Sequence, residues 1–266
     1  MTITQTPTGS QASPSPTRIA IVTGGSRGLG RSMALHLAGH GVDVILTYKQ
    51  AAGPAAEVVA AIEARGRRAV ALPLDVADTA GYPAFVAAVQ AALRTRWDRD
   101  RFDFLVNNAG VGAHAPVTEV TEAQLDELVC THLKPAVFLT QRLLPLVADG
   151  GRVLNVSSGL ARFSFPGYAA YAAVKGAVEV LTRYQARELG ARGITVNVIA
   201  PGAIETDFGG GAVRDNPALN AQLAGVTALG RVGLPDDIGG AVALLLAPEA
   251  RWLTGQRIEV SGGMML

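Results

Sequence analysis

Ser158, Tyr171 and Lys175, near the middle of the chain, have the residue types and spacing of a proton-transfer site. Tyr171 and Lys175 lie four positions apart in an alanine-rich run with helical character, so their side chains project from one helix face. A nearby positive charge favours a phenolate, and we therefore expect Lys175 to lower the pKa of Tyr171. Ser158 follows a short apolar run that predicts a buried strand, which would bring its hydroxyl to the same cavity.

Together these groups would supply a proton donor, a cation that tunes the donor, and a hydroxyl that stabilises negative charge on a carbonyl oxygen. Such a set suits the addition of hydride to a ketone, or the reverse reaction. A tyrosine and a lysine at helical spacing are also often a partly exposed pair without a chemical role. Lysine is rare here, with only Lys49, Lys134 and Lys175 among 23 basic residues, which favours a specific role for Lys175.

A glycine-rich turn follows the first apolar run, residues 18–23, and precedes a run with helical character at 31–40. A strand, a glycine turn and a helix in this order are typical of a dinucleotide-binding unit, in which the turn and the helix amino end face the phosphates. Alone the turn is a weak signal, because many glycine-rich turns bind nothing. The cofactor-binding residues predicted in this turn are Gly24, Ser26, Arg27, Gly28, Leu29 and Gly30.

Short apolar runs alternate with helical segments along the remaining chain. Strands are predicted at 42–47, 68–72, 102–106, 152–156, 194–200 and 258–260, and helices at 53–65, 79–94, 121–147, 168–189 and 235–246. This alternation predicts one α/β domain over residues 18–266, a Rossmann fold with a doubly wound parallel sheet of about seven strands and helices on both faces. We further expect a disordered tail at 1–17, a bend at Pro135, and an irregular lid at 207–225.

The composition excludes several classes of function. The 266 residues are 49% hydrophobic and 17% charged with a net charge of +1, which gives no electrostatic reason to expect nucleic acid or a membrane surface as partner. The apolar runs are too short to span a bilayer. A single cysteine, Cys130, excludes an internal disulfide and fits the cytoplasm, and the four scattered histidines predict no metal site.

The motifs resemble the single-domain branch of the short-chain dehydrogenase/reductase family, similar to 3-oxoacyl reductases, from about residue 18 to residue 266. T-G-x-x-x-G-x-G appears at 23–30, N-N-A-G at 107–110, Y-x-x-x-K at 171–175 and P-G at 201–202. The resemblance implies that Tyr171 is the general acid in reduction, that Lys175 also holds the nicotinamide ribose, and that Ser158 positions the carbonyl. It implies further cofactor contacts at Asp75, Val76, Asn108, Ala109, Gly110, Pro201, Gly202, Ile204 and Thr206.

Two neighbouring positions have less certain roles. Asn107 is expected to be structural, joining adjacent strands by hydrogen bonds. Many family members carry an asparagine in the long fourth helix, and His132 stands in that place here. Two roles for His132 remain open, a part in proton relay or simple packing beneath the active site.

The residues after the second predicted strand indicate the cofactor. An acid that selects NAD is expected about twenty positions beyond the glycine loop, and Tyr48 occupies that place. Asp43, the nearest acid, opens the strand at the end remote from the crevice. Arg27 and Lys49 offer positive charge for a 2′-phosphate. We therefore predict NADP(H) as the preferred cofactor, with NAD(H) also usable, and place Tyr48 and Lys49 beside the adenosine.

The substrate pocket is expected between three aromatic side chains, Phe163, Phe165 and Phe208, with His114 close by. These side chains favour an apolar ketone or a 3-oxoacyl thioester as substrate of an NADP-dependent carbonyl reductase. The alternative is a catalytically inactive, dinucleotide-sensing regulatory protein, which would not need all three reactive side chains. A sugar-nucleotide epimerase is disfavoured because nothing follows the last strand to form a substrate domain.

Assembly is predicted from two apolar segments near the chain end. The run at 238–246 and the terminal Met264, Met265 and Leu266 are hydrophobic, and exposure of such segments to water is unfavourable. Similar family members form tetramers through this region, so we expect a homotetramer, with a dimer as the second possibility.

Overall fold

The computed structural model describes residues 17–266, so the tail expected at 1–17 lies outside the described residues except for Thr17. The strands are β1 (Ile19–Val22), β2 (Asp43–Tyr48), β3 (Ala69–Pro73), β4 (Phe102–Asn107), β5 (Val147–Val156), β6 (Thr195–Pro201) and β7 (Arg257–Val260). The helices are α1 (Gly28–Gly39), α2 (Ala52–Glu63), α3 (Tyr82–Trp97), α4 (Glu122–Leu128), α5 (Thr140–Leu143), α6 (Ala169–Leu189), α7 (Ala212–Asp215), α8 (Pro217–Gly225) and α9 (Pro235–Leu245).

All seven strands are parallel and form one sheet in the order β3-β2-β1-β4-β5-β6-β7. The chain reverses its direction across the sheet between β1 and β4, which opens a crevice at the carboxyl ends of these two strands. The predicted doubly wound α/β fold is therefore confirmed, and the switch point lies next to the glycine loop.

Successive residues of β1 are buried in two separate cores, one on each face of the sheet. Ala20 and Val22 belong to a cluster that includes residues of α1, α2 and α9. Ile19 and Ile21 belong to a second cluster, with residues of α3, α5 and α6. Burial on both faces explains why β1 is an unbroken apolar run rather than an alternating one.

Asp43 anchors the amino end of β2. Its fully buried carboxylate accepts hydrogen bonds from the Arg68 backbone N–H (2.9 Å), the Arg68 side chain (3.0 Å) and the Trp97 indole N–H (2.7 Å). These bonds join β2 to the start of β3 and to the end of α3. Asp43 is thus at the end of the strand remote from the crevice, as predicted.

The helix predicted at 121–147 differs from the observed structure in length and type. It begins as α4, where Thr121 and Gln124 form a capping box. Two π-helical segments follow, Val129–Leu133 and Pro135–Leu139, before α5 ends at Leu143 and β5 begins at Val147. The Pro135 nitrogen cannot donate a hydrogen bond, and wider turns lie on both sides of it; the bend expected there stays a prediction.

The segment at 207–225 contains more regular structure than the sequence analysis predicts. Its irregular part is confined to Gly209, Gly210 and Gly211, whose φ angles are 61°, 72° and 80°. The Asn216 side chain accepts hydrogen bonds from two backbone N–H groups of the first turn of α8, and Pro217 opens that helix. The prediction of an irregular segment is therefore wrong for residues 212–225, where α7 and α8 form.

Candidate active site

The structure brings Ser158, Tyr171 and Lys175 together at the carboxyl end of β5. Lys175 Nζ donates a hydrogen bond to the Val156 carbonyl at 2.8 Å and lies 5.6 Å from the centre of the Tyr171 ring. The Ser158 side chain lies close enough to the Tyr171 hydroxyl to favour its phenolate form. A strand end therefore holds the lysine, and one face of α6 presents the lysine and the phenol to the serine.

Burial, rather than mutual charge, dominates the titration of Tyr171 and Lys175, which are 6% and 4% exposed. Burial raises the pKa of Tyr171 above its usual value, and the nearby Ser158 side chain opposes this rise. Burial also lowers the pKa of Lys175 to about 7, because a buried ammonium loses its hydration. The expected lowering of the Tyr171 pKa by Lys175 is thus wrong for the protein alone. At neutral pH Tyr171 is a protonated phenol, the state required of a proton donor.

The Ser158 hydroxyl is oriented by the turn that follows it. Its Oγ accepts a hydrogen bond from the Leu160 backbone N–H at 3.2 Å and opens the short 3-10 turn Gly159–Ala161. Because this bond occupies one lone pair of Oγ, the hydroxyl proton can be donated towards Tyr171 or towards a substrate oxygen.

The glycine loop between β1 and α1 is shaped for the close approach of a phosphate. Gly24 and Gly28 have φ angles of 66° and 53°, and a Cβ at Gly30 would collide with the Gly24 carbonyl and the Asn108 side chain. Helix α1 has no side-chain cap at Arg27 and no acid in its first turn. Its first backbone N–H groups are therefore available to an anion.

Asn108 and Thr23 fix the glycine loop to the end of β4. Asn108 Nδ2 donates hydrogen bonds to the Thr23 carbonyl (2.8 Å) and the Gly24 carbonyl (3.3 Å). Thr23 Oγ1 accepts from the N–H groups of Asn108 (2.9 Å) and Ala109 (3.0 Å). The Asn108 side chain thus supports the loop, and only the remaining surface of this segment can face a cofactor.

The other predicted cofactor residues surround the same crevice. The Thr206 side chain lies beside Gly28, at 3.8 Å from the position of a Cβ there. Ile204 forms a single β-bridge to Gly233, and the Gly202 N–H donates to the Val260 carbonyl. Ser26 is buried, and Leu29 packs on the core. Val76 and Ala109 line the same cavity, and Gly110 contacts the His132 ring. Pro201 is the last residue of β6.

Cationic side chains at the adenosine end of the crevice already face carboxylates. Lys49 Nζ lies 2.8 Å from Asp75 Oδ2, and this contact lowers the pKa of Asp75. The Arg27 side chain is 74% exposed and lies 4.0 Å from the Asp207 carboxylate. A bound phosphate would therefore compete with Asp75 and Asp207 for these two cations.

Asn107 is structural, as the sequence predicts. Its Nδ2 donates hydrogen bonds to Asn155 Oδ1 (2.8 Å) and Thr140 Oγ1 (2.9 Å), which join β4 to β5 and to α5. Asn155 in turn donates to Gln185 of α6 (3.0 Å), and Gln185 donates to the Ala136 carbonyl in the second π-helical segment (2.7 Å). One polar network therefore connects the strand ends to the helices that carry the site.

His132 packs edge-on against Tyr171, with ring centres 5.5 Å apart and an interplanar angle of 88°. Its Nε2 lies 2.8 Å from the Val111 carbonyl, and burial together with the Lys175 charge lowers the pKa of His132 to about 3. The ring is therefore neutral near pH 7, and its Nε2 lies within hydrogen-bond distance of both the Val111 carbonyl (2.8 Å) and the Val111 N–H (3.3 Å). Within residues 17–266, His132 Nδ1 and Asn107 Oδ1 are buried without a hydrogen-bond partner and belong to residues that line a small cavity beside Lys175. The packing role is thus visible, and the relay role stays open.

The aromatic residues expected around the substrate pocket differ in their positions. The Phe208 ring lies 5.7 Å from the Tyr171 ring, and His114 packs edge-on against Tyr168 at 5.0 Å. Phe163 is only 7% exposed and packs against Gly159. The Phe163 ring therefore packs against Gly159, and its place beside the substrate pocket stays a prediction.

Two kinds of feature are absent from the part of the chain that the structure describes. Over residues 17–266, no three His, Cys, Asp or Glu side chains lie close enough together to hold a metal ion. In the same range, no helix has the length and apolar character needed to cross a membrane.

Known proteins resemble this chain over nearly its whole length. A family profile described as enoyl-(acyl carrier protein) reductase matches residues 24–265. The hydroxynaphthalene reductase-like protein Arp2 of Metarhizium brunneum is 37% identical over 257 residues, which cover 92% of this chain and 94% of that protein. The angucycline C-6 ketoreductase LanV, whose crystal structure contains bound NADP, is 37% identical in sequence to this chain. The two structures superpose with a TM-score of 0.88, and the match covers 93% of this chain and 95% of LanV.

A third relative carries the family name itself. The short-chain dehydrogenase/reductase from Serratia marcescens BCRC 10948 is 33% identical, with a TM-score of 0.86 and coverage of 96% of this chain and 100% of that chain. Each of these matches covers more than nine tenths of this chain or, for the family profile, residues 24–265. The chain therefore belongs to the short-chain dehydrogenase/reductase family.

Proposed function

We propose that the protein is an NADPH-dependent carbonyl reductase that interconverts a ketone and a secondary alcohol at Ser158, Tyr171 and Lys175. The observation that carries this proposal is the buried, protonated Tyr171 held between a serine and a lysine at the mouth of the dinucleotide crevice. The ketoreductase LanV, with bound NADP, and the reductase-like Arp2 support the same reaction class. When bound, the reduced nicotinamide supplies the hydride.

The three side chains divide the rest of the chemistry. Ser158 donates a hydrogen bond to the carbonyl oxygen and stabilises the negative charge that develops on it. Tyr171 transfers its phenolic proton to that oxygen, so that the alcohol forms and a phenolate remains. Lys175, with a pKa of about 7, can carry a positive charge beside this phenolate and return a proton to it near neutral pH.

The residues of the crevice fit a phosphorylated dinucleotide. The open N–H groups of α1 and the close-packed glycines would hold the pyrophosphate, and Arg27 with Lys49 would hold the 2′-phosphate. Tyr171 and Lys175 would also hold the nicotinamide ribose. The remaining contacts are proposed for Tyr48, Asp75 and Val76 at the adenosine, Asn108, Ala109 and Gly110 along the path, and Pro201, Gly202, Ile204 and Thr206 at the carboxamide.

Changing Lys49 to alanine, and separately Arg27 to alanine, is expected to lower kcat/KM for NADPH about tenfold. A charge-assisted hydrogen bond to the 2′-phosphate contributes about 1.5 to 3 kcal/mol. Each cation must first break its exposed ion pair with a carboxylate, which costs at most about 1 kcal/mol and reduces the net gain. NADH lacks the 2′-phosphate, so its kcat/KM should barely respond. Steady-state kinetics with both cofactors give the measurement, and equal losses for both would show that these cations are ordinary surface charges.

Tyr48→Asp provides the complementary variant. An aspartate there would repel the 2′-phosphate and accept hydrogen bonds from the ribose of NADH, so preference should shift towards NADH. A wild-type enzyme that already prefers NADH would contradict the assignment of NADP.

The assay that tests the enzyme proposal is NADPH oxidation against a panel of cyclic, aromatic and aliphatic ketones and 3-oxoacyl thioesters. A carbonyl reductase oxidises NADPH in a ketone-dependent manner. A dinucleotide-sensing protein of the same fold binds NADPH without any ketone-dependent turnover. If NADPH fluorescence shows that the cofactor binds but no ketone or thioester of the panel causes NADPH oxidation, the proposal is overturned.

A homotetramer in the cytoplasm is proposed as the working form. Ile238 and Val242 of α9, the helix predicted to form the interface, are buried within the protomer. That face of α9 therefore cannot contact another subunit. Leu244, Met265 and Leu266 remain exposed, at 66%, 49% and 90%, and form the part available to another subunit. Light scattering at micromolar concentration should give the mass of four chains, and a monomeric mass would exclude the assembly.

A further inference from the structure

Phe208 is an exposed aromatic side chain that lies against the proposed proton donor. Its ring centre is 5.7 Å from that of Tyr171, the two rings are tilted by 59°, and Phe208 is 42% exposed. The same ring lies over Gly112, where a Cβ would stand 2.9 Å from a ring atom. Glycine at 112 thus allows the ring to reach Tyr171.

Tyr171 is largely covered by the side chains packed around it. Tyr171 is 6% exposed, and its neighbours His132 and Lys175 are buried and hydrogen-bonded to the backbone of Val111 and Val156. Phe208, in contrast, is partly open to solvent. Its displacement is therefore the smallest change that uncovers the phenol.

The backbone after Phe208 has room for that displacement. Gly209, Gly210 and Gly211 all have positive φ, a conformation that glycine adopts without a steric penalty. No atom outside the local chain lies within 4 Å of the position of a Cβ at Gly209 or Gly210. The segment that holds Phe208 is therefore both permissive in conformation and free of contacts on one side.

The other residues around Tyr171 are mostly apolar. A small cavity beside Tyr171 is lined by Ala113, Ala115, Val120, Leu128, Gly167 and Ala170, with Gln124 as the polar member. Tyr168, one helical turn before Tyr171, packs edge-on against His114, and a backbone hydrogen bond from Ala115 to Gly167 (2.9 Å) joins the two loops. The substrate body that suits these walls is apolar and uncharged.

We infer that Phe208 is a specificity-determining residue whose ring forms a movable wall over Tyr171 and selects flat, fused-ring aromatic ketones over saturated ones of the same size. This inference rests on the proposed carbonyl reduction at Tyr171. Once displaced, the Phe208 ring lies beside the body of the ketone whose oxygen meets Tyr171. Aromatic pairs in offset or edge contact are stabilised beyond their buried area, which a saturated ring system cannot match.

The test compares 1-tetralone with 1-decalone, which share a bicyclic carbon framework but differ in the aromatic ring. The wild-type ratio of kcat/KM for tetralone over decalone serves as the reference value, because the conjugated carbonyl of tetralone is intrinsically less electrophilic than that of decalone. Phe208→Leu keeps an apolar side chain and removes the ring, and should lower that ratio about three- to tenfold, mainly through KM for tetralone. Phe208→Tyr should keep the ratio within about twofold of the wild-type value.

Trp252→Leu serves as the matched control, because Trp252 is 94% exposed and no contact with the site involves it. A second readout does not depend on turnover. Calorimetric titration of 1-tetralone into the protein with oxidised NADP should show tighter binding by wild type than by Phe208→Leu, by the same three- to tenfold.

The outcomes separate the inference from the proposed function. Weaker tetralone binding by Phe208→Leu supports the role of Phe208 even if no ketone is reduced, in which case the carbonyl reductase proposal fails alone. A tetralone-to-decalone ratio and a tetralone affinity that are unchanged in Phe208→Leu would overturn the inference while leaving carbonyl reduction intact.

Discussion

Replacing Tyr171 with phenylalanine is expected to lower kcat/KM for ketone reduction by about a hundredfold to ten-thousandfold, the usual contribution of general acid catalysis. The variant retains the ring that packs against His132 and Phe208 and loses only the hydroxyl that lies near the Ser158 side chain. Affinity for NADPH should therefore stay close to that of wild type. Steady-state kinetics with 1-tetralone and a fluorescence titration of NADPH measure the two effects separately.

A matched control is Tyr184→Phe on the same helix. Tyr184 is 65% exposed and is not part of the site, so removal of its hydroxyl should leave kcat/KM unchanged. If Tyr171→Phe kept more than a tenth of the wild-type kcat/KM, another group would have to donate the proton.

Lys175→Met is expected to lower kcat/KM by about a hundredfold to a thousandfold, because the phenolate left on Tyr171 would lose its stabilising charge. The same substitution should make the folded protein more stable near neutral pH. The Lys175 ammonium is buried, and its pKa falls from 10.5 in the unfolded chain to about 7 in the folded protein.

The pH dependence of stability follows from these two pKa values. Between about pH 7 and pH 10 the unfolded chain binds a proton at Lys175 and the folded protein does not, so the free energy of unfolding rises with pH. Each unit of pKa shift corresponds to about 1.4 kcal/mol, and methionine leaves the Val156 carbonyl without its donor. The net gain of Lys175→Met at pH 7 should be about 2 to 4 kcal/mol.

Urea denaturation at pH 7, 8 and 9 would show the difference between the two proteins. Wild type should gain stability across this range relative to Lys175→Met. Lys134→Met changes a lysine outside the active site that is only partly buried, and it should retain the wild-type slope. A Lys175→Met variant that is less stable than wild type at pH 7 would contradict the burial argument.

The sheet and the location of the site could be predicted from the sequence because both depend on local patterns. Apolar runs that end at Thr23, Asn107 and Ser158 placed the motifs at strand ends, and parallel strands present those ends at one edge. The ion pair of Lys49 with Asp75 was not predicted, although β2 and β3 pair side by side and bring the two residues together. Strand adjacency is a tertiary property that residue spacing does not contain.

Other differences come from burial, which a single sequence does not specify. The pKa of Tyr171 was expected to fall because Lys175 is close, but the depth of burial of both groups reverses that expectation. The inward packing of Phe163 depends on Gly159, whose missing side chain leaves the space. Helix α8, in contrast, could have been predicted, since Asn216 followed by Pro217 is a common helix start.

The two π-helical segments around Pro135 affect how this chain tolerates changes in length. A π turn contains one residue more than an α turn, and in an α-helix one residue corresponds to a rotation of about 100°. Deleting a single residue between Val129 and Leu139 could therefore restore ordinary helical bonding and leave the helix content almost unchanged. Such a deletion would leave α4 and α5 in the same relative orientation, because the wide turn already absorbs the extra residue, so His132 would stay beside Tyr171 and Thr140 beside Asn107. A deletion inside α4, which has no wide turn to absorb it, would instead rotate the residues before it by about 100° relative to α5.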